Sequence, residues 1–289
     1  MNDFIAAGGN TGFLIFSITL LGLVVGSFLN VVIHRVPLMM QNSWKRDCCE
    51  LLQQPAPDIK KISLVYPNSR CPSCEAPIRA WQNIPVISYL FLGGKCANCK
   101  TSISKRYPII ELVTGILSGF LAYTFGPTEQ LLYTLILTWA LISLTMIDID
   151  HQLLPDNITL PLLWLGIIAN ISGTFTDLES SILGAIFGYL SLWFVYWLFK
   201  LVTGKEGMGF GDFKLLAALG AWMGWQALPQ IIILSSVVGA VIGIAGILIQ
   251  GRDKNVAIPF GPYLAIAGWI ALIWGEQITA AYLQYAGLA

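Results

Sequence analysis

TGFLIFSITLLGLVVGSFLNVVI, residues 11–33, contains no ionisable side chain. A helix rises about 1.5 Å per residue, so this stretch reaches roughly 34 Å and can cross a hydrocarbon core about 30 Å thick. Met1-Asn2-Asp3 ahead of it lacks the basic start of a signal peptide, and more apolar segments follow. The stretch is therefore expected to stay as a membrane helix rather than be cleaved.

Outward from this segment the chain is apolar almost throughout. Comparable segments lie at 108–125, 131–147, 158–173, 181–199, 213–225, 229–249 and 262–282, giving eight candidate spans. The weakest is 213–225, which is short and Gly-rich. Of the 289 residues only 11% are charged and 56% are hydrophobic, with a mean hydropathy of +0.71. An ordinary soluble domain carries roughly a quarter charged residues, enough to cover its surface. So few charges exclude such a fold, and so much apolar content excludes disorder. Sixteen basic residues balance sixteen acidic ones, which argues against a nucleic-acid partner. The remaining class is a polytopic membrane protein in a lipid bilayer.

The basic residues test the span count, because they collect on the cytoplasmic side. Eleven of the sixteen fall between Arg35 and Arg106. With eight alternating spans the other five, Lys200, Lys205, Lys214, Arg252 and Lys254, land on that same face. The opposite loops, 126–130 and 174–180, contain none, and neither do the termini. Both termini are thus expected to be periplasmic. The zero net charge conceals two opposed regions. Residues 34–106 hold eleven basic residues against four acidic ones (Asp47, Glu50, Asp58, Glu75), and the rest holds five against twelve.

Within that basic loop, Cys71-Pro72-Ser73-Cys74 is followed after 21 residues by Cys96-Ala97-Asn98-Cys99. Two CxxC pairs suit tetrahedral Zn²⁺, each pair bringing two thiolates to one ion. The spacer is slightly longer than usual for such pairs. The competing assignment is two disulfides, which a reducing cytoplasmic face disfavours. Cys48 and Cys49 lie outside the pattern and read as ordinary thiols. Gly93-Gly94-Lys95 precedes the second pair; it reads either as a turn into the knuckle or as a close backbone approach to an anionic ligand. The expected fold is all-α: about eight transmembrane helices with a small cytoplasmic zinc-binding domain between the first and second. The expected units are residues 1–33, 34–106 and 107–289.

Ionisable groups at span ends are functional candidates. The third span closes on Asp148-Ile149-Asp150-His151-Gln152-Leu153-Leu154-Pro155-Asp156, and the sixth opens on Gly207-Met208-Gly209-Phe210-Gly211-Asp212-Phe213-Lys214. Both lie at the cytoplasmic face in this topology. Two carboxylates meeting there would share one proton, a pair suited to acid/base hydrolysis of a peptide bond without a covalent intermediate. Asp148 and Asp212 are the candidates, although Asp212 can also be read as a helix cap. Asp156 reads as the N-cap of the fourth helix, Asp150 as a supporting acid or a solvated residue, and His151 as interfacial. Among the other polar residues, Asn30 and Arg35 end the first span. Glu111 is near neutralising Lys105 and Arg106, and Glu276 sits within reach of water.

With these residues assembled, the chain resembles the bacterial type IV prepilin peptidases, bifunctional leader peptidases and N-methyltransferases with a GxGD motif. The resemblance rests on residues 26–37 (GSFLNVVIHRVP), the four-cysteine loop, and the segment from Asp148 to Asp156. Gly209-Phe210-Gly211-Asp212-Phe213-Lys214 and Pro259-Phe260-Gly261-Pro262-Tyr263 complete it. It implies that Asp148 and Asp212 are the catalytic aspartates of a membrane aspartic protease. It further implies cleavage of a short basic leader after glycine at the cytoplasmic face of the inner membrane. The exposed amine is then methylated with S-adenosyl-L-methionine as donor. The family's methylation residues fall on Gly94 and Lys95, and its zinc ligands on Cys71, Cys74, Cys96 and Cys99. The implied substrates are prepilins and pseudopilins of type IV pilus and type II secretion systems.

Acidic residues beside the aspartates, namely Asp150, Asp156 and Glu206, are expected to attract the basic leader. Two other readings compete. One is a peptidase without methylation, its cysteine domain a docking module. The other is a transporter with membrane carboxylates as a proton relay, which would place its carboxylates mid-bilayer and show inverted repeats.

Overall fold

The structure, a computed structural model, describes residues 3–55, 62–250 and 259–287. Asp58, Lys60, Lys61, Arg252 and Lys254, counted in the charge pattern, lie outside the described residues. Nine α-helices and no strands occur among the described residues. These are α1 (Asp3–Leu51), α2 (Ile87–Phe91), α3 (Arg106–Phe125), α4 (Glu129–His151), α5 (Asp156–Ala169), α6 (Leu178–Thr203), α7 (Phe210–Met223), α8 (Leu228–Gln250) and α9 (Gly261–Tyr285). Apart from the short α2, each corresponds to one apolar segment of the sequence. Six of them, α1, α3, α4, α6, α8 and α9, are long and apolar enough to cross a membrane. The protein is a multi-pass membrane protein. The other two, α5 and α7, have 14 residues each, a rise of only about 21 Å.

The first helix does not stop at Ile33. It continues through Pro37 to Leu51, because one proline removes a single backbone donor while the Leu-Met-Met-Gln that follows favours helix. The segment 34–51 is thus helix continuous with the first span. Arg35 ties the following loop back to it, donating to the carbonyls of Ser63 at 2.9 Å, Leu64 at 3.3 Å and Pro67 at 2.6 Å.

The chain divides into two compact units, Met1–Ser143 and Leu144–Ala289. In the first, α1 packs on α3 through small residues on both helices. A Cβ on Gly22 would lie 2.5 Å from Ser118 Oγ, and one on Gly26 2.7 Å from Glu111 Cα. From the other side Gly115 meets Leu23 and Gly119 meets Thr19. Each helix carries a GxxxG pair, which lets backbones approach where lipid provides no hydrophobic drive for association.

In the second unit α7 is the central helix. Asp212, Phe213 and every residue from Leu215 to Trp222 are buried. Hydrophobicity all around a helix fits a position enclosed by other helices. The α6 backbone closes on it, with Gly184 against Gly220 and Gly188 against Leu216 and Ala217. On another side Gly166 of α5 leaves room for the Trp222 ring, whose Nε1–H donates to Leu162 O at 2.8 Å. The carbonyls at the buried end of α7 need partners. Asn170 Nδ2 donates to Ala221 O and Trp222 O at 2.9 and 3.0 Å, and Ser181 Oγ donates to Ala221 O at 2.6 Å.

Candidate active site and metal centre

Asp148 lies in the last turn of α4. The helix stops three residues later, where Gln152 takes φ 53 while its N–H closes on Asp148 O at 2.9 Å. Asp212 lies in the first turn of α7, after a Gly209 N-cap in extended geometry. Both carboxylates are buried, at 5% and 7% exposure, and the Asp148 charge acts on Asp212. Asp148 Oδ2 accepts the Gly261 N–H at 3.0 Å, so the start of α9 joins the site. Asp212 Oδ1 has no hydrogen-bond partner among the described residues. The carboxylate also bonds the backbone of Gly209, the N-cap of α7, so the capping role coexists with a place in this site. The structure brings the two expected aspartates into one buried site.

Three backbone segments meet around this pair, and Leu154 is wedged among them. A Cβ on Gly211 would lie 2.7 Å from Leu154 Cβ. One on Gly261 would lie 2.7 Å from Asp148 Oδ2 and 3.1 Å from the Leu154 methyls. The glycine before Asp212 is thus needed for close approach. Phe210 and Phe213 flank Asp212 and stack with Tyr196 at centroid separations of 5.2 and 5.7 Å.

Asp156 is not the N-cap expected of it. Pro155 holds that position and Asp156 is the first helical residue. Its carboxylate accepts from Lys214 Nζ through both oxygens at 2.7 Å, which joins the two aspartate-bearing motifs. Glu206 is held by Lys200 at 2.7 Å, and that bond keeps its carboxyl below the ordinary glutamate range. Two of the three acidic residues expected to attract a basic leader are therefore already paired with lysines.

In the first unit the four expected cysteines converge. Their sulfurs all lie within 4.8 Å of one another, and Cys71 Sγ is 3.7 Å from Cys99 Sγ. Four sulfurs about 2.3 Å from one ion stand roughly 3.8 Å apart, whereas a disulfide needs about 2.05 Å. All six cysteines are unpaired, so the donor set fits a tetrahedral ion and not two disulfides. The two knuckles repeat at a 25-residue offset. Cys71 N–H bonds Ala76 O, as Cys96 N–H bonds Thr101 O. Glu75 (φ 56) and Lys100 (φ 61) turn the chain at matching places. The Cys99 thiol is held down to about 6 by Thr101, whose hydroxyl and backbone bond the sulfur. The Cys99 and Asn98 backbone N–H groups lower Cys96. These two thiols lean toward the thiolate a zinc ligand requires, whereas burial and the neighbouring Cys96 and Cys74 thiols push Cys71 up.

Gly93 and Gly94 have φ of 61 and 67 and make the turn from α2 into the second knuckle. The Gly94 N–H donates to Tyr89 O at 2.9 Å, and Gly94 O accepts from Ile103 N–H at 2.7 Å. Lys95 is exposed beside it. Glu111 is not simply neutralised by basic neighbours: it is buried and accepts the Val86 N–H at 2.7 Å. Gly261 and Leu154 were visible as motif letters, but their contact with the aspartates depends on tertiary packing that no spacing reveals.

The profile described as Bacterial Peptidase A24 N-terminal domain matches residues 20–125, and that of the Type IV leader peptidase family matches residues 135–244. A prepilin leader peptidase/N-methyltransferase of Stutzerimonas stutzeri is 62% identical over 269 residues, 93% of each chain. One from Pseudomonas aeruginosa is 60% identical over the same length and shares. One from Neisseria gonorrhoeae is 52% identical over 263 residues, 90% of this chain and 91% of its own. No solved structure matches. With relatives this similar across nine-tenths of both chains, the chain belongs to the type IV leader peptidase family.

Proposed function

We propose that the chain is a membrane aspartic endopeptidase that removes the short basic leader of type IV prepilins and pseudopilins after a glycine. It works at the cytoplasmic face of the bacterial inner membrane, and it then N-methylates the residue left exposed. The relatives named for both activities support this reading. The observation that carries the peptidase assignment is the buried pairing of Asp148 with Asp212.

The two carboxyls share one proton. The Gly261 N–H held by Asp148 suits the member that takes a proton from water as the oxygen attacks the scissile carbonyl carbon. Asp212, with its unpartnered Oδ1, suits the member that gives its proton to the carbonyl oxygen. The tetrahedral adduct collapses by breaking the C–N bond: the leaving amine takes the proton held by Asp148, and one hydroxyl of the adduct returns its proton to Asp212 as the carboxylic acid product forms. No acyl-enzyme forms. Packing of Leu154 against Gly211 and Gly261 fixes the carboxyl positions before substrate arrives, which matters because small misplacements are costly in rate.

Cys71, Cys74, Cys96 and Cys99 would hold one Zn²⁺, stapling a loop too small to build its own core. Methyl transfer is placed at Gly94 and Lys95. S-adenosyl-L-methionine would supply the methyl group there, the exposed Lys95 meeting the donor's carboxylate and the buried Gly94 turn, its N–H and C=O both engaged, holding that lysine in place.

The test is cleavage of a prepilin in detergent by Asp148→Asn and Asp212→Asn, each keeping shape while removing acid/base capacity. Each is expected to lose activity roughly a thousandfold, within the range acid/base groups contribute. Processing at the wild-type rate by either variant would overturn the pair.

A further inference from the structure

A second buried carboxylate lies outside the peptidase site. Glu111, in the first turns of α3, is 8% exposed. The peptide-bond chemistry above does not use it. Charged groups in membrane helices are costly and tend to be kept for function. Gly26 of α1 is pressed so close that a Cβ there would lie 2.7 Å from Glu111 Cα, and the Ser27 hydroxyl reaches the carboxylate.

The other partner of Glu111 is a strained backbone. Its Oε2 accepts the N–H of Val86 at 2.7 Å. Val86 has φ 60 and ψ −49, a conformation that a β-branched residue adopts only under constraint. It is the centre of a γ-turn in which the Ile87 N–H donates to Pro85 O. Strain of this kind persists where surrounding groups over-determine it, and it gathers at functional sites. A carboxylate makes a stronger hydrogen bond than a neutral acceptor, which suits it to hold such a turn.

Val86 is the N-cap of α2, and the far end of α2 is the Gly93-Gly94-Lys95 turn. That end is also fastened: the Gly94 N–H bonds Tyr89 O, and a Cβ on Gly94 would lie 2.8 Å from Tyr89 Oη. The same Tyr89 hydroxyl donates to Ile103 O at 3.4 Å. One five-residue helix therefore runs from the residue gripped by Glu111 to the glycine and lysine of the turn.

We propose that Glu111 is a positioning residue for methyl transfer, setting the placement of Gly94 and Lys95 through its hold on Val86 and α2. This rests on the assignment of methyl transfer to Gly94 and Lys95. Glu111 acts as a hydrogen-bond acceptor at a fixed place, so an uncharged acceptor of the same shape should largely replace it.

The full-length protein in detergent is assayed with a prepilin and labelled S-adenosyl-L-methionine, following cleavage and methylation separately and measuring bound zinc. In Glu111→Leu methylation is expected to fall at least about tenfold, in line with the cost of a small misplacement. Cleavage and zinc content are expected to stay at wild-type levels. Glu111→Gln should restore methylation to within about threefold of wild type, as a neutral acceptor holding the same turn. Wild-type methylation by Glu111→Leu overturns the inference. So does a Glu111→Gln as defective as Glu111→Leu, which would mean that charge matters and not the hold on Val86. A parallel loss of cleavage or zinc in Glu111→Leu also overturns it, as a general structural role. Lys95→Ala is run beside them. Methylation lost there but kept in Glu111→Leu sinks the inference alone, whereas methylation kept in Lys95→Ala sinks the assignment of the turn and the inference with it.

Discussion

Three glycines stand near the two aspartates, and space separates their roles. Gly211 and Gly261 have none to spare: an added Cβ would lie 2.7 Å from Leu154 and from Asp148 Oδ2 respectively. Gly209 has room, its Cβ position standing 3.7 Å from Asp212 Oδ2 at an ordinary negative φ. Gly261→Ala and Gly211→Ala are therefore expected to lower the cleavage rate by roughly ten- to a hundredfold, since the carboxyl or the leucine must shift. Gly209→Ala should stay within about threefold of wild type, losing only the mild N-cap preference for glycine. Cleavage kinetics and thermal unfolding of the three variants check this, and equal losses at all three would contradict it. The motif letters marked where close backbone approach was needed. They could not tell which glycine faces an aspartate and which faces Leu154, because that depends on helices far apart in sequence.

At the scale of elements, the apolar runs were legible because each helix is bounded by a chemical signal. Asp177 is the clearest such boundary: as N-cap of α6 it accepts the Ser180 N–H at 2.8 Å. This bond holds its carboxyl below the ordinary aspartate range. A carboxyl lowered on folding adds stability that is complete above its unfolded value, about pH 4. That stability is lost as pH falls through the lower folded value. Asp177→Asn keeps a capping oxygen but cannot titrate. Wild type should thus be the more stable at pH 7, and its advantage should vanish on acidification below about pH 4. Thermal unfolding of both in detergent across that range reads the difference, and parallel curves would refute it. Other boundaries were less legible. The first span ends at Ile33 where polar residues arrive, yet the helix runs to Leu51 because polarity ends a membrane span without ending a helix. Asp156 looked like a cap by type and position, but Pro155 takes that role and Lys214 claims the carboxylate.

For the whole molecule, the open question of architecture is whether the 14-residue α5 and α7 cross the membrane. Their rise of about 21 Å falls short of a typical core near 30 Å. Inside the second unit, however, they join the same two ends as the 26-residue α6. At one end Leu154 meets Gly211 and Gly261, and Lys214 holds Asp156. At the other, Asn170 and Ser181 bond the last carbonyls of α7, and Gln226 Nε2 donates to Ser180 Oγ at 3.0 Å. Tyr196 of α6 is level with Phe210 of α7, so α6 projects about seven residues beyond the start of α7, roughly 10 Å. The aspartates then sit recessed below that end, where a short helix and a locally thinned bilayer let water reach buried carboxylates. Charge bears on the matter independently. If α5 and α7 cross, Lys200, Lys205 and Lys214 share the face of the basic loop 34–106, as positive-inside bias demands. If they do not, Lys200 and Lys205 are placed on the opposite face. Cysteines introduced one at a time at Thr128, Thr174 and Lys205, each read as labelling above that of the parent protein with its six native cysteines, are expected to separate the two cases. A membrane-impermeant maleimide should label residues 128 and 174 in intact cells and residue 205 only after lysis. Labelling of residue 205 from outside, with residue 174 protected, would make α5 and α7 re-entrant and reduce the crossings to the six long helices.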